Sequence, residues 1–257
     1  MPLMQLDGVT VQFGGLTAVN ELSFAVAEKT IHGLIGPNGA GKSTVFNCLS
    51  RFYQPAVGKI DFAGRDLLAL RSDQVMNLGI ARTFQNVELF RGMTALENVL
   101  VGQHSLGGSG FFGDLFATSK VKQAESARRQ AAMEALEFLG LADTANSLVG
   151  SLPYGKQKLI EFARALVSKP KLLLLDEPAA GLNPQETSHL GDLIVELKDK
   201  LGITILLVEH DMSLVMRICD TITVMEFGRK IAEGDAKTIQ NNPAVIKAYL
   251  GEGEASA

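Results

Sequence analysis

The chain has 257 residues, 46% of them hydrophobic, enough to bury a large core as one compact unit with a subdomain. Its 24 basic and 28 acidic side chains give a net charge of -4, and the absence of a basic domain or aromatic-basic stripe argues against a nucleic-acid binder. Cys48 and Cys219 form no metal-ligand pattern and read as reduced, buried thiols of a cytosolic protein; the start MPLMQLDGV has neither basic leader nor apolar signal core, and no run approaches the ~20 apolar residues of a membrane span.

In residues 3–35, alternating runs such as Val9, Val11, Phe13 and then Leu22, Phe24, Val26 predict an antiparallel sheet. The apolar stretch 31–35 enters GPNGAGKST, residues 36–44, which has the phosphate-loop spacing of Gly, four residues, then Gly-Lys-Ser. Glycines let backbone N–H groups point inward, and a helix over 42–51 aims its positive end at the same point. Gly39 and Gly41 keep Cβ atoms away from phosphate oxygens. Lys42 would reach the β- and γ-phosphates and Ser43 would offer its hydroxyl to Mg²⁺. A glycine-rich turn before an ordinary helix would leave the combination of strand, spacing and Lys-Ser without a reason.

Residues 59–62 and the following Gly64 read as a strand and turn. Gln85, in ARTFQN, ends another strand, and from Phe84 the pattern turns helical, with Thr94 and Glu97 at capping-box spacing. The glycine-rich stretch SLGGSGFFG, residues 105–113, is expected to be a mobile loop; Phe111 and Phe112 on it fit either a partner surface or a loop folded on its own lobe. Residues 120–139 place Ala124, Ala127, Ala131, Ala135 and Phe138 on one side of a helix ended by Gly140, with Lys122, Glu125, Arg128 and Arg129 on the solvated side. LPYGKQ, residues 152–157, precedes a helical pattern of Leu159, Ala163, Leu166 and Val167 that stops at Lys169-Pro170.

KLLLLDEP, residues 171–178, is a buried parallel strand delivering two carboxylates to its C-terminal edge, where open α/β sheets bind nucleotides. Asp176 is placed to hold Mg²⁺, and Glu177 to orient and deprotonate a water. The rival role, capping the next helix, is already filled by Asn183-Pro184-Gln185-Glu186. A second such strand, 203–208, ends in Glu209-His210-Asp211, so His210 is either a γ-phosphate contact or a structural histidine. A short helix over 212–219, a hairpin around Phe227-Gly228, a helix over 243–250 and a frayed tail over 251–257 complete the chain.

Taken in order, these pieces resemble the ABC transporter ATPase family over nearly the whole chain. GPNGAGKST looks like its Walker A motif, LLLLDE its Walker B motif, Gln85 its Q-loop, LPYGKQ its signature, residues 180–183 its D-loop and His210 its switch histidine. The resemblance implies nucleotide contacts from Gly36, Asn38, Gly39, Ala40, Gly41, Lys42, Ser43 and Thr44, and from Leu152, Gly155 and Asn183. It implies catalytic roles for Glu177, His210 and Gln85, and Mg²⁺ contacts from Ser43, Gln85 and Asp176. Phe13 sits where the family stacks an aromatic residue on adenine; by position alone it reads as a strand core residue. GIARTFQN, the signature tyrosine and DEPAAGLNP look most like branched-chain amino-acid importers, with urea, amide and lipopolysaccharide-transport ATPases as close relatives.

The implied fold is α/β: a RecA-like phosphate-loop core (1–85 plus 159–241), an N-terminal antiparallel β subdomain, an inserted α-helical subdomain near 86–158, and a C-terminal helix and tail over 242–257. The implied cofactors are ATP and Mg²⁺. The implied partners are a second ATPase subunit, identical or a paralogue, two integral-membrane permease subunits and, indirectly, a solute-binding protein, with no nucleic acid. Such a subunit works at the cytoplasmic face of the membrane as a sandwich dimer, the signature of one copy closing on ATP held by the other. A phosphate-loop kinase would leave the signature, Gln85 and His210 unexplained, and a non-transport ABC ATPase would need paired cassettes, a coiled-coil insertion or a basic surface. The chain departs from the family at Pro153-Tyr154-Gly155, where most members carry Ser-Gly-Gly, because proline removes both a hydroxyl and an N–H. Either Pro153 weakens the clamp, as an unequal heterodimer would tolerate, or Gly155 and the helix dipole suffice and Pro153 pre-sets the turn.

Overall fold

The structure, a computed structural model, describes residues 2–83, 87–103 and 119–254, the side chains of residues 119–122 and 250–254 excepted. Gln85, Phe111 and Phe112 lie outside the described residues, and with them the expectations for the Q-loop and the glycine-rich loop. Contacts divide the chain into two units, Met1–Arg82 with Lys171–Ala257, and Thr83–Pro170.

In the first unit, β1 (Pro2–Phe13) and β2 (Leu16–Ala27) pair antiparallel, as their alternation dictates, and β3 (Ile31–Ile35) leaves that sheet for a second one. Helix α1 (Lys42–Leu49) follows, then β4 (Val57–Phe62) and the short β5 (Arg65–Asp66), which complete a four-stranded sheet of order β2-β1-β4-β5. After the single turn α2 (Ser72–Val75), β6 (Ile80–Arg82) enters the second sheet. Its other members lie beyond the second unit: β7 (Leu172–Asp176), β8 (Thr204–Val208), β9 (Thr221–Glu226) and β10 (Arg229–Gly234), in the order β10-β9-β3-β8-β7-β6. All pairs are parallel except β10 with β9. Every residue of β3, β7 and β8 is buried, the outcome expected of near-continuous apolar runs covered on both faces. Val45, Phe46 and Leu49 of α1 share one core with Val9, Phe24 and Ile60 of the antiparallel sheet and Leu34, Leu174 and Leu206 of the parallel one.

Helix α6 (Pro184–Leu201) starts on the expected device: Asn183 accepts from the N–H groups of Gln185 and Glu186, and Glu186 reciprocates. It stops at Gly202, φ 66°. Helices α7 (Met212–Ile218), α8 (Ala236–Gln240) and α9 (Pro243–Glu254) close the unit, and α9 continues past Leu250 into residues expected to fray.

The second unit contains α3 (Ala95–Val101), α4 (Ser119–Phe138) and α5 (Tyr154–Leu166). The Thr94–Glu97 capping box forms as read, but the helix begins at Ala95, well after Phe84. Two readings are corrected. The core-facing residues at the end of α4 are Ala132, Leu136 and Leu139, while Ala124 and Ala127 are exposed; alanines mark a helix face too weakly to fix it. The unit also extends to Pro170 rather than 158, because α5 runs unbroken to Leu166 and packs on α3 and α4.

A polar relay crosses the parallel sheet. His32 Nε2 lies 2.9 Å from Thr223 Oγ1, and that hydroxyl donates to Glu233 Oε2 at 3.1 Å. With its single proton committed to Glu233, Thr223 accepts from His32, so Nε2 carries the imidazole proton. Burial holds His32 at about 4, below its ordinary 6.5, with Glu233 opposing the shift. The unfolded chain takes up that proton near 6.5, so this contribution to stability is full above 6.5 and is lost as pH falls toward 4. In urea melts, His32→Gln should therefore lose about 2 kcal/mol less stability than the parent between pH 7 and pH 5. Equal losses in both proteins would assign the slope to other groups.

Candidate nucleotide site

Beyond Ile35 the chain turns through Gly36, Gly39 and Gly41 at φ 151°, 76° and 100°, values that side-chain-bearing residues rarely adopt. At two of these positions the space is also closed. A Cβ on Gly36 would lie 2.1 Å from the Met225 carbonyl oxygen, and one on Gly41 would lie 2.5 Å from that of Ala18. Nothing lies within 4 Å of a Cβ on Gly39, so conformation alone favours glycine there. No side chain caps α1, which leaves the N–H groups of its first turn and the positive end of its dipole available to an anion. Lys42 Nζ donates to the carbonyls of Gly36 at 2.6 Å and Pro37 at 2.9 Å, so its ammonium is held at the loop, largely buried.

The ends of the parallel strands supply the acids. Asp176 closes β7, and its buried carboxylate accepts from Arg82 Nη2 at 2.7 Å. Glu177 follows at φ 48°, its N–H donating to the Val208 carbonyl at 2.8 Å and its Oε1 standing 2.9 Å from His210 Nε2. With Nε2 protonated, the imidazole donates to the carboxylate and fixes its direction. Glu209 is spent on backbone instead. Its Oε1 accepts from Ala179 N at 2.6 Å and its Oε2 from the N–H groups of His210 and Asp211. Asp211 caps α7 through Leu214 N, and hydrogen bonds from Ser213 and Leu214 hold its carboxyl below the usual range.

A cleft of about 460 Å³ joins these parts, lined by Asn38, Gly39, Ala40, Gly41, Lys42, Ser43 and Thr44 together with Glu177 and His210. That volume suits a small-molecule ligand. Gly36, Asp176, Phe13 and Asn183 are not in its lining. Gly36 and Asp176 support it from the ends of β3 and β7, whereas Asn183 commits its side-chain oxygen to the α6 cap. Phe13 is not a core residue: it is 45% exposed, with its ring edge-on to Tyr53 at 5.1 Å. Four lining residues, Leu16, Thr17, Ala18 and Phe227, escaped the sequence reading. Only the pairing of strands brings the start of β2 and the β9–β10 turn to the loop. One signal was available for Phe227, an aromatic residue in a two-residue turn that favours Asn or Gly; it adopts φ 45° and is 86% exposed.

Leu152 and Gly155 belong to the second unit. The Leu152 carbonyl accepts from Gln157 Nε2 at 2.8 Å, and Pro153 is the N-cap of α5 at φ -55°, ψ 148°. No side-chain cap covers the first turn of α5 either. Lys158 and Glu161 are buried, while Leu159, an apolar position of the pattern, is only half-buried.

The sequence pattern of the ABC transporter family matches residues 19–180. The chain belongs to that family. A second pattern, that of the branched-chain amino acid ATP-binding cassette transporter, matches residues 229–255, the region of β10, α8 and α9. The chain is 47% identical to the high-affinity branched-chain amino acid transport ATP-binding protein BraF of Pseudomonas aeruginosa, over 98% of each chain. Among solved structures it resembles the ADP conformation of an ATP-binding cassette of an ABC transporter, with a TM-score of 0.84, 31% identity and coverage of 98% and 99%. It also resembles the dimeric structure of a bacterial ABC transporter cassette, with a TM-score of 0.75, 26% identity and coverage of 91% and 98%. The expected fold is therefore the ABC ATPase fold, and the chain is a nucleotide-binding transport ATPase. Among the described residues no helix is long and apolar enough to cross a membrane.

The loop geometry separates its glycines by experiment. Gly36→Ala must move the Met225 backbone and should cost about 3 kcal/mol or more in thermal or urea unfolding. Gly39→Ala meets open space and should cost only about 1 kcal/mol through its positive φ. Equal costs would mean that the close approach at Gly36 is not rigid.

Proposed function

We propose that the chain powers uptake of branched-chain amino acids, pairing through ATP with a second ATPase subunit beneath two permease subunits at the cytoplasmic face of a membrane, with a solute-binding protein delivering the solute. The observation that carries the reading of the site is the Glu177–His210 hydrogen bond in the cleft that also contains Lys42. The solute class is supported by the C-terminal sequence pattern and by the likeness to BraF.

Lys42 and the α1 N-terminus bind the polyphosphate of ATP. Glu177 takes the proton of the attacking water, and His210 orients Glu177 and touches the γ-phosphate. Ser43 and Asp176 are hard oxygen donors that suit Mg²⁺, with Gln85 joining them by family resemblance. Among the described residues no group of three or more His, Cys, Asp or Glu could hold a metal by itself, which fits a cation delivered on the nucleotide. Bound there, Mg²⁺ would supply positive charge to offset the negative charge that develops on the phosphates. Phe13 serves the adenine ring, with Leu16 and Phe227 as apolar rim, and Asn183 serves the D-loop.

The signature of the partner copy, Leu152 to Gly155, closes on the γ-phosphate. The geometry of α5 favours the second account of Pro153. The proline ring fixes the extended turn into the helix, and the first-turn N–H groups can do what a serine hydroxyl does in other family members. Glu177→Gln should keep ATP affinity within a few-fold and accumulate an ATP-dependent dimer on size exclusion. Both that variant and His210→Ala should lose roughly 10²–10³ in turnover, and near-normal turnover in Glu177→Gln would sink the assignment. Pro153→Ser should leave ATP-driven dimerisation of the isolated subunit unchanged. A clear increase would instead support a weak clamp and an unequal pair of subunits.

A further inference from the structure

Arg82 closes β6, one strand over from β7, and its side chain is 11% exposed against 9% for Asp176. Its Nη2 donates to Asp176 Oδ2 at 2.7 Å. Its Nη1 donates to Asn47 Oδ1 at 2.8 Å and to Ser50 Oγ at 3.2 Å, and its guanidinium carbon lies 5.5 Å from the centre of the Phe46 ring. Phe46 and Asn47 lie on α1, the helix that begins with Lys42 and Ser43, and Ser50 is its C-cap. One planar group therefore ties the helix that carries Ser43 to the strand end that carries Asp176.

The chemistry of that tie is specific. A charge buried without a partner is costly, and an arginine supplies the counter-charge as a rigid planar group with several donors. Because the guanidinium is rigid and is also fixed by Asn47 and Ser50, it engages Oδ2 from one direction. The carboxylate cannot rotate freely, and Oδ1 keeps its lone pairs for another ligand. A lysine could neutralise the charge but could not span both anchors with one plane.

We propose that Arg82 is a positioning residue for the divalent cation of the bound nucleotide: it holds the Asp176 carboxylate in register with Ser43, so that both oxygens meet the cation that arrives with ATP. The proposal rests on the reading of Asp176 and Ser43 as cation ligands, and its test separates the two. Nucleotide binding is followed with a fluorescent ATP analogue while MgCl₂ is titrated from EDTA, on the parent and on Arg82→Met, Arg82→Lys and Asp176→Asn. Thermal unfolding of each variant is recorded alongside.

Arg82→Met should raise the Mg²⁺ midpoint about 10-fold, the scale for losing a group that orients a metal ligand, while the lysine variant recovers part of the loss. Asn47→Ala removes one anchor and keeps the ion pair; it should raise the midpoint less, and it serves if Arg82→Met fails to fold. An unchanged midpoint in folded Arg82→Met or Asn47→Ala, with only the unfolding temperature lowered, would overturn the proposal and leave Arg82 structural. A lowered midpoint would overturn it too, because Arg82 would then be competing with the cation for Asp176. If Asp176→Asn itself leaves the midpoint unchanged, the underlying reading of Asp176 fails and this proposal falls with it.

Discussion

The phosphate loop is wedged between two backbones, and the rest of the first unit is arranged around that wedge. Gly36 lies against the Met225 carbonyl at the end of β9, and Gly41 lies against the Ala18 carbonyl on β2. Gly228, in the β9–β10 turn, donates to the Ala40 carbonyl at 3.1 Å and accepts from Asn20 N at 2.8 Å. The antiparallel sheet, the loop and the C-terminal hairpin thus meet through main-chain atoms, which side-chain exchange cannot replace. The same contacts carry the fold and the nucleotide cleft. Leu16, Thr17, Ala18 and Phe227 reach the cleft because the backbones that bear them clamp the loop.

Parallel strands bring the chemistry-bearing residues to one side of the sheet. With β3, β6, β7 and β8 all running the same way, the phosphate loop, Arg82, Asp176-Glu177 and Glu209-His210 emerge at one edge of the sheet. Adjacent acids at that edge have different work. Both Glu209 oxygens accept backbone N–H groups, which locks the connections after β7 and β8 to each other. Glu177 keeps its carboxylate for His210, held in a left-handed conformation that costs of order 1–3 kcal/mol. That strain is tolerated because its neighbours over-determine the turn.

Local signals were legible in the sequence and non-local ones were not. The phosphate loop, the capping boxes at Thr94 and Asn183 and the buried runs of β7 and β8 depend on residues within a few positions of one another, and each formed as read. The Arg82–Asp176 pair spans 94 positions and exists only through the β6–β7 register, so no spacing rule could reach it. The rim residues Leu16 and Phe227 were hidden for the same reason. In α4 the difficulty was chemical: alanine buries so little surface that a stripe of alanines does not choose a face, and Leu136, with Leu139 just beyond the helix, chooses it instead. In α5 the buried Lys158 and Glu161 break the usual link between charge and exposure.

The charges around the cleft each have a partner within the first unit. Lys42 rests on two carbonyls, Asp176 on Arg82, Glu177 on His210 and Glu209 on three amides. A polyphosphate therefore meets groups already desolvated and oriented, so little of its binding free energy is lost to reorganising them. Three of these arrangements are buried and fixed. The fourth differs, since His210 is 44% exposed and its bond to Glu177 has one partner on each of two strand ends. Of the four, the Glu177–His210 pair is the one open to solvent, where a hydrogen bond is most readily exchanged for one to water or to a ligand, while the buried three hold the loop and the strand ends in place.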